Sequence, residues 1–351
     1  MEIFSGKEHI RPHPAGKPGS YEWWYFDFID SKNEYSAVVI FLTGSPFSPD
    51  YSVPVGRSAG QAEGPHPLDF CSISVNIYLK QRVVYRSLFE FGRENFSFSD
   101  DEKVLKISIA NSSITYDKSS GSWQIDVNYS YEKYGDRKRF ELSFFPVADA
   151  SAVSRTKSGD HDGKHFWMPT APFCNATLKI VNYANDRRTK SELSGLGYVD
   201  HNWGNEHMAV GIEKWYWGRV ISNEFCLVFF DVGHKGSHGK NFTSVLLFDK
   251  SNLVHISTDF QFKAKNARNY WMLKYAESIG GKDDKLEFNC RSDEFVDNGP
   301  FYVRSLCRFN ADFNGKKIFD NAVGFSECIA PGRLTSSFLA PFVKLRIRKV
   351  S

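Results

Sequence analysis

The sequence predicts an all-β chain in two lobes. Three observations carry this: period-two alternation in the apolar segments, no long helical stripe, and two aromatic-led strand openings about half a chain apart. Alternation is clearest in Trp123, Ile125, Val127, Tyr129 and Tyr131, with Gln124, Asp126, Asn128 and Ser130 between them, the pattern of a strand buried on one face. Gly135-Asp136 then reads as a turn into a hairpin partner, Phe140-Glu141-Leu142-Ser143-Phe144. Similar segments recur at 34–43, 82–91, 104–109, 224–232, 244–248, 253–262 and 301–309. The two openings are Glu22-Trp23-Trp24-Tyr25-Phe26-Asp27-Phe28-Ile29 and Lys214-Trp215-Tyr216-Trp217-Gly218-Arg219-Val220-Ile221. They place a boundary near 205–211, giving lobes 1–208 and 209–351, the first expected to carry the site. Strands closed into barrels lose their free edges and leave an interior able to hold a ligand.

Composition bounds the function. The 351 residues include 31 Phe, 16 Tyr and 8 Trp against 4 Met, so rigid ring faces are abundant, suited to a β core or to a large apolar ligand. Net charge is +3, from 44 basic and 41 acidic residues, which gives no footprint for nucleic acid. Six widely spaced cysteines form no CxxC pair, and Cys226 sits in an apolar run as a small core residue would. The start, Met1 to Lys7, has no apolar signal core, and no stretch reaches transmembrane length. The expectation is a cytoplasmic protein with reduced thiols, for which surface contact with a membrane stays open. Two polar loops, 46–67 and 149–163, are long enough to be lids or binding loops.

The densest chemistry lies in Gly195-Leu196-Gly197-Tyr198-Val199-Asp200-His201-Asn202-Trp203-Gly204. Tyr198 and Asp200, two apart on a strand, point to one face. A carboxyl desolvated among rings has a raised pKa and can keep a proton near neutrality. The competing reading makes Asp200 a turn cap beside Asn202 and Gly204. His165 and Trp167 have the same spacing: a histidine can shuttle a proton and an indole face can stabilise a cation, or both can simply pack.

In order along the chain, Glu22-Trp23-Trp24-Tyr25-Phe26, His165-x-Trp167, Gly197-Tyr198-x-Asp200-x-Asn202-Trp203-Gly204 and Pro331-Gly332-Arg333-Leu334 resemble the carotenoid 1,2-hydratase (hydroxyneurosporene synthase) superfamily. That superfamily also holds kievitone-hydratase-like enzymes and lipocalin-like cyclases, including Diels–Alderases. The resemblance implies two consecutive lipocalin-like antiparallel β-barrels and no cofactor or metal. It also implies an apolar polyene or isoprenoid substrate in natural-product biosynthesis, with Asp200 protonating an alkene. Tyr198, His165 and Trp167 would complete the catalytic set, with Trp167, Tyr198 and Trp203 stabilising the cation. Trp23, Trp24, Tyr25, Trp203, Trp215 and Trp217 are the expected substrate-binding rings.

Three rivals stay open. A pericyclic cyclase would use the pocket to orient its substrate, and a non-catalytic carrier would only bind lipid or pigment. A metal hydrolase would need Asp200, His201 and His207 together, although neighbours on a strand face opposite ways. His201, beside Asp200, could also shift its titration. His234 and His238 read as exposed residues of a Gly-rich turn.

Overall fold

The computed structural model describes residues 1–350 apart from 5, 14–15, 59–63, 132–135, 149, 152, 154–163, 185–186, 237–240 and 271–272. The turn at Gly135, nearly all of the 149–163 loop, and His238 therefore lie outside the described residues.

The protein is all-β, as predicted, and its strands form two curled sheets. The first sheet contains β1 (Glu2–Ile3), β2 (Tyr21–Asp30), β3 (Tyr35–Thr43), β4 (Cys71–Leu79), β5 (Arg82–Phe91), β6 (Phe96–Asp100), β7 (Val104–Ile109) and β8 (Ser112–Asp117). It continues with β9 (Trp123–Tyr131), β10 (Asp136–Pro146), β11 (His165–Ala184) and β12 (Arg187–Gly204). The second contains β13 (Ile212–Ile221), β14 (Phe225–His234), β15 (Phe242–Asp249), β16 (Leu253–Ser257), β17 (Gln261–Tyr270), β18 (Leu273–Lys282), β19 (Leu286–Asn298), β20 (Tyr302–Phe313) and β21 (Lys316–Ile329). A last strand, β22 (Arg348–Lys349), returns to pair in parallel with β5 of the first sheet.

Both sheets follow one scheme. The first runs β5-β4-β3-β2-β12-β11-β10-β9-β8-β7-β6, and the second β16-β15-β14-β13-β21-β20-β19-β18-β17. In each, the aromatic-led strand pairs with the strand after it and with the last long strand of its sheet, as β2 does with β12 and β13 with β21. Among the described residues both hydrogen-bonded paths are open at their ends, so the sheets are half-barrels whose concave faces hold separate cores.

Alternation then sorts the side chains. Trp24, Phe26 and Phe28 enter the core of the first sheet, while Tyr216, Val220, Phe229 and Phe309 enter that of the second. A third core lies between the sheets and takes the opposite parity: Tyr25, Ile29, Tyr198 and Trp167 from the first, Trp215, Trp217, Ile221 and Phe230 from the second.

Sequence reading misses the short helices. The 46–67 segment contains α1 (Pro49–Ser58), and α2 (Met208–Gly211) lies in the passage from β12 to β13. A third, α3 (Ala340–Lys344), follows β21 and brings Val343 to the gap between the sheets. The segment read as one strand at 253–262 is two, β16 and the start of β17, with Phe260 buried between them. All six cysteines are buried and unpaired, the state expected of core thiols.

Candidate active site between the two sheets

The gap between the sheets opens into a cavity of about 1080 Å³, counting the space at its mouth. It draws on both lobes rather than on the interior of the first. Trp23, Tyr25, Ile40, Asp200 and Asn202 come from the first sheet, and Trp215, Trp217, Phe230, Arg304 and Glu327 from the second. The two aromatic-led strands face each other here. Trp23 stacks near Trp215 with centroids 6.4 Å apart, and Tyr25 meets Trp217 edge-on at 5.2 Å. The next pair in step, Asp27 and Arg219, is a buried ion pair, with Nε donating to Oδ2 at 3.0 Å.

Asp200 sits on the cavity wall, 3% exposed. Its Oδ2 accepts hydrogen bonds from Trp167 Nε1 (3.1 Å) and Tyr198 Oη (2.9 Å), and its Oδ1 accepts one from Asn202 Nδ2 (2.7 Å). Burial pushes its pKa up to about 8, helped by the charges of Glu327 and Asp27, while the Tyr198 and Trp167 bonds pull the other way. Desolvation wins, so this carboxyl holds its proton at neutral pH. Tyr198 is fully buried, and desolvation holds its phenol well above the usual range.

The other predicted residues divide by parity. Trp23, Tyr25, Trp215 and Trp217 line the cavity. Trp24 and Trp203 do not, because they occupy the opposite parity and face the core of the first sheet. Trp24 stacks on His201 at 4.8 Å, and Trp203 stacks on His13 at 4.1 Å and Phe166 at 5.2 Å. Both therefore lie outside the cavity lining, on the other side of their strands. Trp167 has no exposed surface, its ring packs against Phe230 at 5.1 Å, and it meets Asp200 through its N–H rather than offering a face to the cavity.

His165 lies on the same side of β11 as Trp167 but two residues along, within 2.8 Å of the Tyr21 hydroxyl at Nδ1 and 3.6 Å of Glu206 at Nε2. It is not among the cavity-lining residues and makes no hydrogen bond to Asp200.

His201 also faces away from Asp200. Its Nε2 is 2.8 Å from Glu22, which His13 also meets at 2.8 Å, and its Nδ1 is 2.9 Å from the His9 carbonyl. Among the described residues, His13, Glu22 and His201 are the one set whose ligand atoms converge enough to hold a metal. They already satisfy one another and lie behind the sheet. His207 caps α2 through Nδ1 and meets Ser52 at 2.9 Å through Nε2, so Asp200, His201 and His207 do not form a metal site. His234, half-buried, ends β14.

Sequence reading missed Glu327 and Arg304, a buried ion pair at 2.7 Å on the far wall. Tyr25 Oη also reaches Glu327, at 3.5 Å, and Arg304 donates to Tyr78 Oη at 3.1 Å. The available signal was parity: Glu327 alternates with Phe325 and Ile329, as Arg219 does with Trp217 and Ile221, so charges stand where the pattern calls for core residues.

Comparison with known proteins agrees with this architecture. The family model described as carotenoid hydratase CrtC matches residues 38–351. The chain is 25% identical over 348 residues to hydroxyneurosporene dehydrogenase of Chlorobaculum tepidum, covering 95% of this chain and 89% of that protein. It is 26% identical over 289 residues to the acyclic carotenoid 1,2-hydratase of Thiocapsa roseopersicina, covering 82% of this chain and 64% of the relative, just under two thirds of its length. Two solved structures share the fold. One is CghA with Sch210972 (TM-score 0.63, 10% identity, 89% of each chain), and the other a protein described as a putative AttH from Nitrosomonas europaea (TM-score 0.63, 11% identity, 93% of this chain and 97% of that one).

Proposed function

The chain belongs to the carotenoid hydratase CrtC family, and from that premise we propose that Asp200 protonates an alkene of an isoprenoid or polyene held between the sheets. The protein is an enzyme of the hydratase or cyclase kind. The observation that carries the proposal is a carboxyl on the cavity wall whose burial pushes its pKa to about 8. A proton donor near neutrality contributes roughly 10²- to 10⁴-fold to a rate.

The Asp200 proton goes to the less substituted alkene carbon, leaving a tertiary cation and a carboxylate. The three hydrogen bonds from Trp167, Tyr198 and Asn202 strengthen as that carboxylate forms, which lowers the cost of the step. Faces of Trp23, Trp215 and Trp217 stabilise the cation, each by roughly 0.5–2 kcal/mol. In hydration, water attacks the cation and its surplus proton passes to a carboxylate; in cyclisation, an internal double bond attacks and a proton leaves the ring. Glu327, carried by the second sheet, is the carboxylate placed to receive it. The proton then returns to Asp200 through solvent, and the scheme uses no cofactor.

The test is turnover of an acyclic isoprenoid in H₂¹⁸O. A product heavier by one labelled water marks hydration, and an isomer of unchanged mass marks cyclisation. Product formation by Asp200→Asn at the wild-type rate would leave a pericyclic cyclase, and binding without turnover by either protein would leave a carrier.

A further inference from the structure

One cross-strand row runs the length of the cavity floor. Asp200 on β12 lies opposite Tyr25, Tyr25 opposite Ile40, Ile40 opposite Ser74, and Ser74 opposite Leu88 on β5. All five line the cavity. Four strand-to-strand steps at about 4.8 Å make the row roughly 19 Å long, measured along the curved sheet. Its character changes along that length, from a carboxyl, through an aromatic and an aliphatic side chain, to a hydroxyl at Ser74 and a second aliphatic side chain at Leu88.

The far end is polar and cationic. In the adjacent row, Asn76 on β4 lies opposite Arg86 on β5. Arg86 Nη2 meets Asp297 at 3.1 Å and the Val296 carbonyl at 2.9 Å, and Arg346 shares the same Asp297 at 3.4 Å. Two guanidinium groups thus divide one carboxylate, while Arg304 and Glu327 neutralise each other. Buried donors here have no partner, namely Arg86 Nε and the Tyr302 hydroxyl. Unpaired buried donors are costly unless something accepts from them. A purely hydrocarbon guest would leave both unpaired and the positive charge in excess.

We propose that the substrate is an amphiphile: an isoprenoid chain with a carboxylate head at Arg86, Arg346 and Tyr302, reaching along the row to place its terminal double bond at Asp200. The claim rests on the cavity being the substrate site, but not on Asp200 acting as an acid. The row sets the reach. A chain much shorter than the floor cannot touch both ends.

Binding to the whole protein, followed by quenching of its tryptophans, tests this with geranylgeranoic acid, its methyl ester and the shorter geranic acid. The free acid is expected to bind at least tenfold more tightly than the ester, and geranic acid at least tenfold more weakly than the longer acid. Arg86→Gln should bring the free acid to the affinity of the ester and leave the ester unchanged. Arg346→Gln, at a more exposed position, should give a smaller loss in the same direction, and thermal melting checks that each variant folds. Equal binding of acid and ester, tighter binding of the ester, or no quenching by any of the three would overturn the proposal. The same preference measured in Asp200→Asn separates it from the catalytic reading, since the head subsite should survive that substitution.

Discussion

Asp200 and Glu327 occupy the same place in two related sheets and live in opposite electrostatic surroundings. Asp200 lies opposite Tyr25 on the aromatic-led strand of the first sheet, and Glu327 lies opposite Trp217 on that of the second. The strands themselves correspond, since Trp23 faces Trp215, Tyr25 faces Trp217, and Asp27 pairs with Arg219 192 residues later. What differs is the neighbour. Asp200 receives hydrogen bonds from an indole, a phenol and an amide, all neutral, and burial raises its pKa to about 8. Glu327 has the Arg304 guanidinium at 2.7 Å. One fold position thus yields a carboxyl of raised pKa, the proposed proton donor, in one lobe and an ion-paired carboxylate in the other, and Glu327's charge adds to that raised pKa.

The contrast can be broken at several points. The largest effect is expected from Asp200→Asn, which keeps the shape and removes the proton: kcat should fall about 10³-fold while apolar ligand affinity stays within twofold. Next is Glu327→Gln. It strands the buried Arg304, so urea unfolding should show a loss of about 3 kcal/mol, and replacing the pair by Leu and Met together should recover most of it. Losing that negative charge also moves the alkaline limb of the wild-type pH profile, expected near pH 8, to lower pH.

Trp167→Phe removes a donor that favours the Asp200 carboxylate, so the same limb should move to higher pH and kcat should fall about tenfold. Trp167→Ala should cost more, because it also opens a cavity worth roughly 3–5 kcal/mol of stability. The smallest effect is expected at Trp24. Trp24→Phe alters the core of the first sheet on the far side of β2, so melting should shift slightly while KM stays unchanged.

Parity made much of this legible. Tyr198, Asp200 and Asn202 on one side of a strand, and Trp23 with Tyr25 on another, follow from alternation alone. The same rule, applied strictly, places Trp24 and Trp203 on the side away from the cavity, because each is one residue away from a side chain that faces it. His165 obeys the rule but ends two residues too far along β11 for Asp200, a distance that depends on which strands pair. Arg86, Arg304 and Glu327 were hidden for a different reason. Their shared cavity forms only when β4 and β5 meet the region around β19 and β20 across the gap, and nothing local encodes that meeting. The α1 helix escaped notice because Pro54 and its flanking prolines resemble a loop.

Acid catalysis by this protein depends on the protonation state of one carboxyl, that of Asp200. With aspartate side-chain carboxyls labelled with ¹³C, the resonance that Asp200→Asn removes should titrate with a midpoint near pH 8 in the folded protein. Stability should follow: a carboxyl that titrates at about 8 when folded and at about 3.9 when unfolded contributes fully below the lower value. That contribution disappears as pH rises through the upper value, a slope the Asn variant should lack. A midpoint below pH 5 would mean that Asp200 is an ordinary carboxylate at neutral pH, and would contradict its role as the proton donor.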